Sequence, residues 1–348
     1  MSERSDAAET LVTGGTGFVG AAVVRHLRAR GVPARVLVRP ASDRRNLVGL
    51  DVELREGDLR DPASLAAAVA GCRHVFHVAA EYRIWHPRPE QFEAVNVAGS
   101  RALVEAAAAA GVERFVYTSS VATLGLRPGG EPGDETDEPP STGPIGAYKR
   151  SKWRAEQVVR ETAARCGLDL VIVNPAAPIG PGDVKPTPTG RTILEAARGR
   201  MPAFVDTGLN VVHVDDVAAG HWLALEHGRS GERYILGGQN LSLREILAEV
   251  ARCCGRRPPR VKLPPTLLVP FAHLAQGIAR VRGGAEPMLT VDGLRMARHH
   301  MYFSSAKAER ELGYTSRPAR EAIADALEWF RVAGYLSSRR SASSSSAQ

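Results

Sequence analysis

Thr13-Gly14-Gly15-Thr16-Gly17-Phe18-Val19-Gly20 joins a short apolar run, Glu9–Thr13, to a stretch, Phe18–Arg30, in which Val19, Val23 and Leu27 recur at helical spacing. Strand, glycine turn and helix in that order have a physical use. The glycines permit a tight turn, close approach of the backbone to a pyrophosphate and close packing of helix on strand. The positive end of the helix then faces the phosphates. A plain strand–helix turn is the alternative reading, and the placement after a strand and at the start of a helix favours the dinucleotide. Gly14, Gly17, Phe18, Val19 and Gly20 are therefore candidate cofactor-binding residues.

Outward from this turn, strands and helices alternate. Ala34–Val38, Val52–Arg55 and His74–Val78 read as strands, and Gln91–Ala110 as an Ala-rich helix that stops at Gly111. Arg114–Thr118 is a strand, Ala147–Cys166 a helix closed by Gly167, and Leu170–Val173 a further strand. Strands separated by crossover helices predict an α/β fold, a Rossmann-type doubly wound parallel sheet. After Pro175 the texture changes: Pro178, Pro181, Pro186 and Pro188 interrupt the chain. We expect a dinucleotide-binding domain over 9–175 and a smaller substrate lobe over 176–336, interleaved with the last sheet strands. Residues 1–8 and the Ser-rich tail 337–348 are expected to be disordered.

Two further features carry chemistry. The second strand ends in Val38-Arg39-Pro40, without the acidic residue that NAD-selective sites place against the ribose hydroxyls. Arg39 could instead pair with a 2′-phosphate, so NADP(H) is favoured over NAD(H), with a solvated surface arginine as the alternative. Tyr148 and Lys152 are four apart on a predicted helix and share a face. A free phenol titrates near pH 10, and a neighbouring ammonium favours its phenolate. Tyr148 could then exchange a proton with a carbinol oxygen. Ser119 and Ser120 end the strand before that helix, where a hydroxyl can donate to a developing alkoxide.

Composition bounds the rest. The 348 residues are 44% hydrophobic with a net charge of +7, and the basic residues are spread along the chain. Without a binding motif, this charge points to anionic small ligands or lipid surfaces and away from nucleic acid. Cys72, Cys166, Cys253 and Cys254 follow no metal or disulfide spacing, and the adjacent pair reads as two helix residues. Reduced thiols, a polar Met1–Glu9 and no run of roughly twenty apolar residues fit a cytoplasmic protein. His77 and His213 sit in apolar strands and read as packing residues; no cluster has metal-ligand spacing.

The chain resembles the extended short-chain dehydrogenase/reductases. Besides the glycine turn, the matching pieces are Gly57-Asp58-Leu59, Val78-Ala79-Ala80, Asn96, Ser119-Ser120, Tyr148 with Lys152, Asn174-Pro175 and Val214-Asp215-Asp216-Val217, in family order. More narrowly it is similar to the hopanoid-associated sugar epimerases. That match is carried by Arg39-Pro40-Ala41-Ser42-Asp43-Arg44-Arg45-Asn46-Leu47, Tyr117–Gly125, Ile179–Arg191 and Met301–Lys307. The resemblance implies that Asp58 and Leu59 flank the adenine, that Ala79, Ala80 and Pro175 line the cofactor together with Tyr148 and Lys152, and that Ser120 is the catalytic serine.

Two departures narrow the chemistry. Nucleotide-sugar enzymes of this superfamily usually read Arg-Asp-aromatic-apolar-His before the paired acids, the arginine gripping the substrate diphosphate. Here the stretch is Leu209-Asn210-Val211-Val212-His213, which moves the chain toward the dihydroflavonol-reductase-like branch. Dehydratases carry Asp-Glu just after the catalytic hydroxyl, where this chain has Val121-Ala122. An NAD(P)-dependent oxidoreductase or epimerase acting at a carbinol of a sugar-like or polyol substrate, in hopanoid lipid biosynthesis, is the expected function. A carbonyl reductase unrelated to hopanoids and a non-catalytic dinucleotide sensor are the alternatives; Tyr148 and Lys152 argue against the sensor.

Arg83, Trp85, Lys185 and Arg191 fall where superfamily substrates bind. Leu267, Leu268, Val269, Phe271 and Leu274, beside Arg252, Arg256, Arg257, Arg260, Lys262, Arg280 and Arg282, offer material for peripheral membrane contact, but Pro264, Pro265 and Pro270 interrupt a clean amphipathic helix and favour a lobe helix that packs its apolar face on the domain, with solvated arginines around it. Extended relatives pair through the helix bearing the tyrosine and the one before it, which predicts a homodimer.

Overall fold

The computed structural model describes residues 9–82, 85, 88–141, 143–282 and 287–336. The expected disordered ends and Arg83 lie outside them. The strands, in chain order, are β1 Thr10–Thr13, β2 Ala34–Val38, β3 Glu53–Glu56, β4 His74–His77, β5 Arg114–Thr118, β6 Leu170–Pro175, β7 Ala177–Ile179, β8 Ala203–Phe204, β9 Gly208–His213, β10 Arg233–Leu236, β11 Gln239–Ser242, β12 Val261–Lys262 and β13 His300–Met301. Seven of them form one sheet in the order β10-β6-β5-β4-β1-β2-β3, every pairing parallel. This is the doubly wound α/β architecture expected from the alternation of strands and helices.

The central strands β1 and β2 are buried along their whole length, as a parallel sheet covered on both faces requires. On one face the helix Phe18–Ala29 sets Val23, Val24 and Leu27 against Val12 and Val36, and the helix Val214–His227 packs beside it. On the other face Leu65, Leu103, Val104 and Val159 enclose Leu11, Val75 and Phe115. Local signals fix the ends. Asp61 caps the helix Pro62–Val69, accepting from the Ala63 N–H, with proline at its first position. Gly167, with φ of 67°, closes the helix Ala147–Cys166. Cys253 and Cys254 end the helix Leu243–Cys254 and are not bridged to each other.

The predicted helix 91–110 is not uniform. Glu90–Phe92 leads into a π-helical turn, Glu93–Ala98, before the α-helix Gly99–Ala109 resumes. The wide turn lets the buried Asn96 reach back: its amide accepts from the Glu81 N–H at 2.7 Å and donates to the Glu81 carbonyl at 3.0 Å and the Ser151 hydroxyl at 3.0 Å. One side chain thus ties the segment after β4 to the helix Ala147–Cys166. Such single turns gather at functional sites.

Beyond β6 the chain builds a smaller sheet in which β9 lies between β11 and β13 and also pairs with β7. The helices Pro188–Ala197, Leu243–Cys254 and Ala319–Val332 cover it with Ile193, Ile246, Val250, Ile323 and Phe330. Here the prolines did not decide the outcome as expected: Pro265–Arg282 is one helix with Pro270 inside it. Pro265 sits at its start, where a missing N–H costs nothing.

Candidate active site

The strand order reverses between β1 and β4, and a crevice opens there beyond the carboxyl ends of the strands, the usual ligand position in such sheets. Buried polar groups fix its floor. The Thr13 hydroxyl and His77 Nδ1 share a hydrogen bond of 2.7 Å, His77 Nε2 meets the Ser100 hydroxyl at 2.8 Å, and Thr13 Oγ1 accepts from the Ala79 N–H at 3.2 Å. Burial pushes His77 down to about 3, so it is neutral. Its part is structural, as expected of a histidine in an apolar strand. His213 likewise caps a helix through Asp215 N–H and meets Asp325.

Over this floor runs a cleft of about 750 Å³. Gly14, Gly17, Phe18, Val19, Gly20, Arg39, Asp58, Leu59, Ala79, Ala80, Ser120, Tyr148, Lys152 and Pro175 all line it, so the structure brings these sequence candidates together in one groove. Two of the glycines are sterically obligatory. Gly14 has φ of 72°, and a Cβ there would lie 2.7 Å from the Ala79 nitrogen; a Cβ on Gly20 would lie 2.2 Å from the Gly14 carbonyl oxygen. Bare backbone at the opening of a helix is what a pyrophosphate needs, so the residues fit a dinucleotide. At the far rim Arg39 is exposed and lies near Asp58. Two hydrogen bonds from Arg60, at 2.9 and 2.7 Å, hold the Asp58 carboxyl down at about 2, with Arg39 adding a smaller pull.

At the other end of the glycine turn stand Ser120, Tyr148 and Lys152. The helix carrying the last two begins at Ala147, after Gly146 with φ of 88°, so Tyr148 projects from its first turn. Lys152 is buried; its ammonium donates to the Thr118 carbonyl at 2.8 Å and lies 5.1 Å from the centre of the Tyr117 ring. Burial lowers it from 10.5 to about 8, against the pull of Glu156. Tyr148 stacks at a tilt 6.4 Å from Phe92.

Lys152 is not among the influences that set the Tyr148 phenol in this structure. Burial raises the phenol to about 12, and the opposing influence is a hydrogen bond from the Ser120 hydroxyl. The lysine's charge is directed onto the Thr118 carbonyl instead. The two serines separate clearly. Ser119 is buried and donates to Glu156 at 2.5 Å, whereas the half-buried Ser120 accepts from the Ala122 N–H at 3.1 Å and pairs with Tyr148.

Glu156 escaped the sequence reading. It is fully buried one turn beyond Lys152, and it accepts from Ser119, Thr123, Asn174 and the guanidinium groups of Arg160 and Arg233. Burial pushes its carboxyl up, but these partners prevail and hold it below the usual range. Its i, i+4 spacing from Lys152 was the available signal. Asn174 also donates to the Ser120 carbonyl at 3.0 Å, so the network sets the backbone that aims the serine.

The remaining wall differs in character. Met201, Val205, Leu209, Leu243, Ile246, Leu294, Met296 and Met301 line it, together with Lys149, Lys185 and Arg191. Trp85 is buried and is not part of the cleft wall. Asn210, at the stretch where a diphosphate grip was missed, donates to the Gly238 carbonyl, the Asn240 amide oxygen and the Phe303 carbonyl, a neutral knot with no cation. Among the described residues there is no cluster suited to a metal ion and no helix long and apolar enough to cross a membrane.

Residues 10–237 match the NAD dependent epimerase/dehydratase family. A putative dihydroflavonol 4-reductase of Synechocystis sp. is 45% identical over 329 residues, 93% of this chain and 95% of that one. Sterol demethylase protein B of Methylococcus capsulatus is 38% identical, over 94% of this chain and 99% of its own. The crystal structure of gox2253 superposes with a TM-score of 0.85 at 52% identity, covering 95% of this chain and all of that one. With its parallel sheet, glycine turn and Tyr148–Lys152 pair, the chain belongs to the NAD dependent epimerase/dehydratase family, the extended short-chain dehydrogenase/reductases, and is an NAD(P)-dependent oxidoreductase or epimerase.

Proposed function

We propose that this enzyme moves a hydride at a carbinol carbon of a sugar-like or polyol group carried on a lipid, such as a hopanoid side chain, with NADP(H) favoured. The observation that carries this reading is the placement of Ser120, Tyr148 and Lys152 between a glycine-built groove and an apolar wall. A bound dinucleotide would supply or accept the hydride. The chain's own residues handle the oxygen. In reduction, Tyr148 gives its hydroxyl proton to the carbonyl oxygen and Ser120 donates a hydrogen bond to it; in oxidation the proton returns to Tyr148. With the phenol held up at about 12, Tyr148 keeps its proton at neutral pH, the form that serves reduction.

The substrate class rests on the second wall. Methionines and branched aliphatic residues suit a hydrocarbon body, and Lys185 and Arg191 in the same wall suit oxygen substituents. The neutral Asn210 knot speaks against a nucleoside diphosphate. The relative named for sterol demethylation is consistent with a lipid substrate. Val121 and Ala122, without acid or base, speak against dehydration. Arg39 at the rim supports a 2′-phosphate. The same reading takes 9–175 as the cofactor domain and 176–336 as the substrate lobe of a cytoplasmic homodimer.

The test is turnover of lipid-borne ketones and polyols with NADPH or NADH, followed by nicotinamide absorbance and product stereochemistry. Net NADPH consumption with formation of a carbinol supports the reading. Inversion of a carbinol without net cofactor change would replace it with epimerisation.

A further inference from the structure

The helix Pro265–Arg282 has its apolar surface turned outward. Its buried positions are the small residues Ala272 and Ala279. Leu267, Phe271, Leu274, Ile278 and Val281 are 61, 62, 63, 45 and 89% exposed. Their spacing of four, three, four and three keeps them within about 80° of arc, a single stripe along the helix. A surface helix of a globular protein does the reverse, and an exposed patch of this kind marks an interaction site.

Charge accompanies the stripe. From Val250 to Arg282 the sequence has seven basic side chains, Arg252, Arg256, Arg257, Arg260, Lys262, Arg280 and Arg282, and no acidic one. Arg256, Arg257, Arg260, Arg280 and Arg282 are exposed and have no ion-pair partner among the described residues. The helix also packs on Val291–Met296, which with exposed Met288 and with Leu289 lines the apolar end of the cleft.

We infer that this helix docks the enzyme on an anionic lipid bilayer, laying its stripe into the interface and opening the apolar end of the cleft beside it. Amphipathic helices with large apolar residues on one side and arginines around them bind in this way. A second copy of the chain fits the face less well, because a two-fold contact would set the same arginines against one another. Delivery of substrate by this route rests on the lipid-substrate reading above. Docking itself is measured without substrate or cofactor, so the two can fail separately.

The experiment is sedimentation of the full chain with vesicles of phosphatidylcholine alone and of phosphatidylcholine with phosphatidylglycerol, at low and high salt. The expected result is pelleting with the anionic vesicles that weakens with salt. Phe271→Ser with Leu274→Ser should lower it at least about tenfold, since burying one such side chain is worth that much. Arg280→Gln and Arg282→Gln should each lower it roughly fivefold at low salt. Val332→Ser, at an exposed valine on another helix, should change nothing. No salt-sensitive pelleting with anionic vesicles overturns the proposal. So does a dimer that Phe271→Ser with Leu274→Ser dissolves while vesicles go unbound, which would assign the stripe to a second copy.

Discussion

Along the glycine turn the cleft is walled by main chain, Gly14 against Ala79, and backed by buried side chains locked in hydrogen bonds, Thr13 against His77 and Asn96 against Glu81. On the opposite side it is walled by Met201, Met296, Met301, Leu209 and Ile246, side chains that fix no direction. The first wall suits a ligand whose polar groups must sit in one place; the second suits a hydrocarbon that needs only room. Methionine in particular adapts to irregular apolar shapes. One groove therefore combines a rigid seat for a cofactor with a tolerant one for a substrate, and Tyr148 stands where they meet. If that division is right, substitutions on the two walls should damage different kinetic constants.

The largest effect belongs to the meeting point. Tyr148→Phe keeps the ring beside Phe92 and removes the proton carrier. Turnover should fall at least about a hundredfold, while dinucleotide affinity by fluorescence titration stays near wild type. A variant with near-normal rate would remove Tyr148 from the chemistry. On the rigid wall, Arg39→Asp replaces a candidate phosphate partner with a like charge. NADPH affinity should drop at least about tenfold, with NADH much less affected. Equal losses by calorimetry would make Arg39 a bystander and end the NADP preference. On the tolerant wall, Leu209→Ser should raise KM for a lipid-borne substrate by up to about tenfold, leaving the dinucleotide Kd unchanged. A loss confined to cofactor binding would show that the two walls are not separate.

The same division separates what the sequence disclosed from what it did not. Glycine at Gly14 is demanded by a positive φ, and Tyr148 and Lys152 share a face by helical geometry, so local physics made the rigid wall readable. Strand alternation likewise announced the parallel sheet. The smaller features depend on contacts far apart in the chain. Asn96 required a π turn that a 3.6-residue period cannot foresee. Glu156 is held by Arg233, 77 residues away. β10 completes the sheet beside β6 only after β7 and β9 have been laid into the smaller sheet. The run Leu267–Leu274 was visible as apolar, but which side it would face depended on how little the fold offers it to pack against.

The smallest expected effect is a pH limb, and it tests whether the Lys152 charge matters at the point where the walls meet. Burial brings Lys152 from 10.5 to about 8, so its ammonium persists below about pH 8 and gives way to the amine above. Tyr148, up at about 12, keeps its proton throughout this window. Carbonyl reduction should therefore hold level up to about pH 8 and decline severalfold above it, through the lysine and not the phenol. Stability should move the other way. Between about 8 and 10.5 the unfolded chain still holds the proton that the folded chain has released, so this residue's contribution rises with pH. A falling rate in a chain that is not unfolding is the signature sought. Lys152→Arg, whose guanidinium does not titrate there, should be slower at neutral pH but flat across the window. A wild-type rate that stays level through 10.5, or that falls only together with the circular dichroism, would leave Lys152 a packing residue under Thr118 and place all the proton chemistry on Tyr148 and Ser120.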